Sequence, residues 1–247
     1  MVHQYPGKFV MIDGLDGVGK GVVLDALKMW AISKGKIAKD LNDFWRNSHF
    51  YPEYEYFQNA DVLISHEPTY GGVGKAIRDE LISKGKTYPA LSVANAYSLD
   101  RQISYTKYII PALKASKLVI QGRGISTSIA YQPLQAEMFQ NQMLDLYSIM
   151  ALEGNKLALE NTPNLLIIMT VKDPEEVMKR LEKRQKNDKA IFEEIDFQKK
   201  LKDRYESKWL KEIFESRGTA VEYLDAGISV EESRRQAIEL IEKHIQL

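Results

Sequence analysis

The sequence predicts an α/β domain of three layers, with helices on both faces of a five-stranded parallel sheet. Three observations predict it. Short apolar runs alternate with longer stretches of helical periodicity, the pattern of repeated strand–helix–strand units. The first strand runs through a cluster of glycines straight into an amphipathic helix. Two later helices open on capping side chains, which mark where helices begin.

Taken in order, Phe9-Val10-Met11-Ile12 is the first strand, and the helix behind it sets Val23, Leu27, Trp30 and Ala31 on one face and stops near Gly35. Ile37 to Leu41 and Val62 to Ser65 are candidate strands flanking an insert dense in aromatic residues. Leu118 to Gln121 is a further strand, followed by a glycine-containing turn. Leu165 to Val171 is apolar without alternation, as a strand buried on both faces must be. Asp173 caps a helix that has Pro174 at its first position and Glu176 completing a capping box. Val221 to Leu224 is the last strand; Ser229 and Glu232 repeat the capping box, and Ile238, Ile241 and Ile245 mark the buried face of the final helix. No internal linker interrupts residues 1–247, which read as one domain with an aromatic-rich insert at about 42–60 and a helical lid at about 180–195.

Composition excludes several classes of function. Lys+Arg and Asp+Glu both number 34, so there is no basic excess for coating nucleic acid, and no stable nucleic-acid complex is expected. The absence of cysteine removes disulfides and thiolate metal sites. No apolar run approaches the ~20 residues of a membrane span. Met1 to Lys8 lacks the basic and apolar regions of a signal peptide, so a cytoplasmic protein is expected. The four histidines have no metal-ligand spacing. The aromatic insert, Phe44 to Phe57, reads as a segment folded over the sheet edge rather than a stacking platform.

The chemistry is carried by Gly14-Leu15-Asp16-Gly17-Val18-Gly19-Lys20-Gly21. Its glycines allow consecutive backbone N–H groups to turn around phosphate oxygens, and the following helix adds positive potential. Lys20 is placed to bridge the outer phosphates of ATP. One feature departs from the usual loop: Gly21 and Val22 supply no hydroxyl for Mg²⁺.

Beyond that loop the chain resembles the thymidylate kinase family. Asp13-Gly-Leu-Asp16-Gly-Val-Gly-Lys20 is similar to its strand end and loop, and Glu67-Pro68 with Gly74, Ile77 and Arg78 to its next segment. Asp100-Arg101 resembles its Asp-Arg helix, Arg123 with Thr127-Ser128-x-Ala130-Tyr131-Gln132 its following signature, and Asp173-Pro174 with Arg180 and Arg184 its strand end and lid. The resemblance implies a P-loop kinase that transfers the γ-phosphate of ATP to dTMP with Mg²⁺, as a homodimer. It implies that Asp16 holds the acceptor's 3′-hydroxyl, Tyr97 stacks on the thymine, Arg101 and Ser128 read the base edge, and Tyr131, followed by Gln132, crowds the sugar. Arg78 and Arg123 would grip the acceptor phosphate, with Glu67 beside them, and Lys20, Arg123 and Arg184, joined by Lys189, would serve the transfer itself.

Three departures leave alternatives open. Gly122 stands where the family has an Asp beside the metal, Gly124 where it has Tyr, and His66 where it has Arg. Asp16 or Glu67, through a water, are then the nearest carboxylates for the metal. Gly122 and Gly124 would widen the acceptor side, which allows a kinase for another deoxynucleotide or a deoxynucleoside. The missing metal groups also allow a nucleotide-binding module with impaired catalysis.

Overall fold

The computed structural model of the chain describes residues 2–83, 85–140, 142–175 and 190–246, with the side chains of 190–194 left out. Glu176, Arg180, Arg184 and Lys189, and most of the expected lid, lie outside the described residues.

The sheet has six strands, not five, and all are parallel. They are β1 (Lys8–Gly14), β2 (Ala38–Asp40), β3 (Val62–His66), β4 (Leu118–Gly122), β5 (Leu165–Thr170) and β6 (Ala220–Asp225), in spatial order β2-β3-β4-β1-β5-β6. All six runs named from the sequence form strands, so the count of five falls one short of them; the shortest is β2, a three-residue edge grown from the run at Ile37 to Leu41. It pairs only with β3, and its residues are half-buried, so it lacks the strong apolar signal of an interior strand. By contrast all six residues of β5 are buried.

Helices flank the sheet. Helix α1 (Lys20–Ser33) buries Val23, Leu24, Leu27, Trp30 and Ala31, the face that its periodicity predicts plus Leu24. The short helices α2 (Leu41–Trp45) and α3 (Tyr54–Phe57) form the aromatic insert, which lies over the sheet edge with Trp45 and Phe57 in the core. Next come α4 (Gly72–Ala76), a π-helical turn at Ile77–Leu81, and α5 (Ala90–Ser104). Helices α6 (Ile110–Lys114), α7 (Ile125–Gln140), α8 (Leu146–Ala151) and α9 (Glu153–Glu160) precede β5. The chain closes with α10 (Ala190–Tyr205), α11 (Lys208–Glu215) and α12 (Val230–His244). Ser229 caps α12 by accepting from Glu232 N at 3.1 Å, and Ile241 and Ile245 are buried. None of these helices is long and apolar enough to cross a membrane.

Parallel strands send all their carboxyl ends to one edge, where α/β sheets place ligands. Three adjacent strands, β3, β4 and β1, deliver Glu67, Arg123 and the glycine loop to that edge.

Candidate active site

The glycine loop forms the turn between β1 and α1. Gly19 sits at φ 88°, a left-handed conformation that side chains resist, and Gly14 sits at φ 131° against the backbone of Met169. Lys20 folds back on its own loop, donating to Gly14 O at 2.9 Å and to Leu15 O. Burial lowers the Lys20 ammonium to about 7, and Arg123 pushes the same way against Asp16 and Asp13.

Beneath the loop, Asp13 is buried and saturated. It accepts from Gly14 N at 2.8 Å, Ser126 Oγ at 2.5 Å, Thr127 Oγ1 at 2.7 Å and Tyr205 Oη at 3.0 Å. With its lone pairs engaged, Asp13 braces the loop and has little left for a metal.

Asp16 is half-exposed and ion-paired with Arg123. Burial pushes its carboxyl up, but Arg123 and Lys20 outweigh that and hold it below its ordinary value. Arg123 follows the end of β4 and has φ 66°, a conformation that costs a residue with a side chain about 1–3 kcal/mol. Its N–H donates to Ile12 O at 2.8 Å, which fixes the turn beside the glycine loop.

A cavity of about 320 Å³ opens next to this pair. Asp16, Glu67, Arg78, Tyr97, Arg123, Tyr131 and Gln132 line it, together with Pro68, Ile82, Thr127 and Gln135. Seven of the nine residues expected around the acceptor are therefore on one wall. The other two are not. Arg101 is fully buried behind Glu67, donating from Nε to Glu67 Oε2 at 3.2 Å and from Nη2 to Ser128 Oγ at 2.9 Å, with further bonds to Glu67 Oε1 and Asn155. Ser128 is buried with it. Instead of facing a base, the pair supports Glu67. Burial pushes the Glu67 carboxyl up to about 7 against the pull of Arg101.

Four wall residues were not among those expected around the acceptor, although Pro68 and Thr127 stand in the motifs quoted above. Thr127, Tyr131 and Gln135 fall at intervals of four on α7, so helical spacing from Tyr131 would have found Gln135. Ile82 carries no such signal. Helix α10 adds Gln198, which is buried and helps hold the Asp16 carboxyl low, and Phe197, whose ring meets Tyr131 edge-on at 4.8 Å.

The glycine departures do not open space. A Cβ on Gly122 would meet Leu24 Cδ1 at 2.6 Å and His66 Nδ1 at 3.0 Å, and one on Gly124 would meet Met11 Cε at 2.5 Å. Neighbouring side chains fill the volume that a wider acceptor side would need.

Among the described residues no cluster of three metal-ligating side chains exists. The donor set nevertheless fits Mg²⁺, which usually takes only one or two carboxylates along with phosphates and waters. Asp16 and Glu67 are the two carboxylates on the cavity wall.

A glycine-rich loop with its lysine between strand and helix, ion-paired through Asp16 to an arginine beside a polar cavity, is the arrangement of a P-loop phosphotransferase. Comparison with known proteins narrows the class. The thymidylate kinase family model matches residues 53–237, and the chain belongs to that family. A probable thymidylate kinase of Thermococcus gammatolerans is 28% identical over 248 residues, covering 97% of this chain and 98% of the relative. Another from Pyrobaculum calidifontis is 24% identical over 240 residues, covering 95% and 96%. The crystal structure of thymidylate kinase from Ehrlichia chaffeensis shares the fold with a TM-score of 0.62 at 18% identity, over 96% of this chain and 98% of that one.

Proposed function

We propose that this chain phosphorylates dTMP to dTDP with ATP, using the glycine loop for the donor and the adjoining cavity for the acceptor. The observation that carries the proposal is the Asp16–Arg123 pair, which links the glycine loop to the wall of the cavity. Phosphoryl transfer asks a protein mainly to align two anions and neutralise them. Backbone amides of residues 14–21 would hold the triphosphate, and Lys20 would leave its own carbonyls to follow charge onto the leaving oxygen. Arg123 and Arg78 would hold the acceptor phosphate, a task suited to planar guanidinium groups. Tyr97 and Tyr131 would flank the base and sugar, with Asp16 on the 3′-hydroxyl. Gln132 lines the same cavity beside Tyr131 and would approach the base from α7. Arg101 and Ser128 would act one layer back, holding Glu67.

Mg²⁺ would be held chiefly by the phosphates and water, with Asp16 or Glu67 as the nearby carboxylates. When bound it would neutralise the charge on the β- and γ-phosphates. A cytoplasmic homodimer is part of the same proposal, on family likeness alone.

The test is an acceptor panel. Purified protein should release ADP far faster with dTMP than with AMP, CMP or GMP. Equal rates across the panel would refute the assignment of dTMP.

A further inference from the structure

The aromatic insert has a second role beyond covering the sheet edge. Its residues 45–51 lie directly on Gly71 and Gly72, at the turn that leads through α4 to Arg78. Trp45 donates from Nε1 to Phe50 O at 3.0 Å, and His49 O accepts from Gly72 N at 2.6 Å. The approach is close enough to require glycine beneath it. A Cβ on Gly71 would meet Trp45 Nε1 at 2.8 Å and Phe50 O at 2.9 Å, and one on Gly72 would meet the Tyr51 ring at 2.9 Å.

From there a chain of contacts leads to Arg78. Tyr51 Oη donates to Asp100 Oδ1 at 2.5 Å, and the same carboxylate accepts from Thr69 N at 2.8 Å and Thr69 Oγ1 at 2.7 Å. Arg78 Nε in turn donates to the carbonyls of Thr69 and Pro68, both at 3.1 Å. Its guanidinium lies 4.0 Å over the Tyr70 ring, and Trp45 packs on that ring at 6.4 Å. Each link is held from outside the cavity, and Arg78 is the only one of these charged groups on the cavity wall.

We propose that Tyr51 is a positioning residue for Arg78: through Asp100 and Thr69, the insert sets the guanidinium that receives the acceptor's phosphate. The inference rests on the reading that Arg78 binds that phosphate. Bonds to a charged group hold geometry strongly, and a small misplacement of a phosphate-binding arginine is costly to alignment.

A double-mutant cycle tests it. Tyr51→Phe removes only the hydroxyl and should raise KM for dTMP about 10-fold, leaving KM for ATP and the melting temperature close to those of the parent. In an Arg78→Ala background the same change should add nothing to KM for dTMP. If Tyr51→Phe leaves KM for dTMP unchanged while Arg78→Ala raises it, the positioning role is refuted and the reading of Arg78 stands. An effect of Tyr51→Phe that persists at full size without Arg78 refutes it too. An Arg78→Ala variant with unchanged KM for dTMP overturns the reading of Arg78 instead. Should Tyr51→Phe not fold, Trp45→Phe loosens the insert at Phe50 without touching Asp100, and the same outcomes apply.

Discussion

The glycine loop and the adjoining cavity, the proposed donor and acceptor sites, are built by opposite means. The loop is one contiguous stretch, residues 14–21, and its working groups are mostly backbone amides held in place by glycine conformations and a single buried carboxylate, Asp13. The cavity draws its wall from the loops that follow β1, β3 and β4, from the π-helical turn, and from α5 and α7, and the groups on it are side chains supported by other side chains. Backbone groups come at fixed geometry with every residue, so a short loop can specify a phosphate site alone. Side-chain sites need a second layer, here Arg101, Asn155 and Ser128 behind Glu67, and Asp100 behind Thr69.

That contrast can be broken at the loop first. On the proposed reading Lys20 is the loop's one cationic side chain for the phosphates, so Lys20→Ala should cut kcat by about 10²–10³-fold, on the scale of losing a group that stabilises transition-state charge. Coupled ADP-release assays would show it, with KM for dTMP little altered. Full activity in that variant would remove the basis for a phosphate loop.

The cavity should fail differently, through stability. Arg101→Ala strands Glu67 in a buried site beside Asp100 and Asp13, and breaking such a pair typically costs about 3–5 kcal/mol. The pH sign follows from the Glu67 carboxyl near 7. Losing Arg101 raises it further, so at pH 6 Glu67 is neutral and the loss is smaller than at pH 8. Urea unfolding at the two pH values measures this, and an equal loss at both would contradict it.

A smaller effect is expected from restoring the family's carboxylate. Gly122→Asp pushes a side chain into Leu24 and His66, and overpacking of this kind costs about 1–3 kcal/mol. It should lower the melting temperature without raising kcat. A gain in activity would show that the position still serves the metal.

The smallest effect sharpens the donor side. Lys20 loses its charge near pH 7 in the free protein, whereas a bound triphosphate favours the ammonium. ATP binding at pH 8 should therefore take up protons, and KM for ATP should rise as pH climbs above about 7. Calorimetry in buffers of differing ionisation enthalpy would detect the uptake, and proton release would contradict it.

The same contrast explains what the sequence made legible. The loop was readable because strand, glycines, lysine and helix are consecutive, and each is local chemistry. The interior strands were readable because burial on both faces leaves continuous apolar runs, and the run behind the half-buried, three-residue β2 was readable too, so the count of five falls one short of the runs themselves. Tyr97, Tyr131 and Arg78 reached the cavity as the family pattern implied. Arg101 did not, because the partner that turns it inward, Asn155, lies 54 residues away. Gly122 and Gly124 suggested open space for a similar reason: Leu24 and Met11, which fill it, come from distant segments. Gln198 and Tyr205 reach the loop from α10, more than 180 residues further along the chain, so nothing local to the loop announces them.

The division into a backbone-built donor site and a side-chain-built acceptor site is tested most directly by a crystal structure with adenosine and thymidine joined through a phosphate chain. The phosphates are predicted to cross the amides of residues 14–21 and pass Arg123, with the thymine between Tyr97 and Gln132 in the cavity. Thymidine seated outside that cavity, or phosphates clear of the loop, would contradict the account.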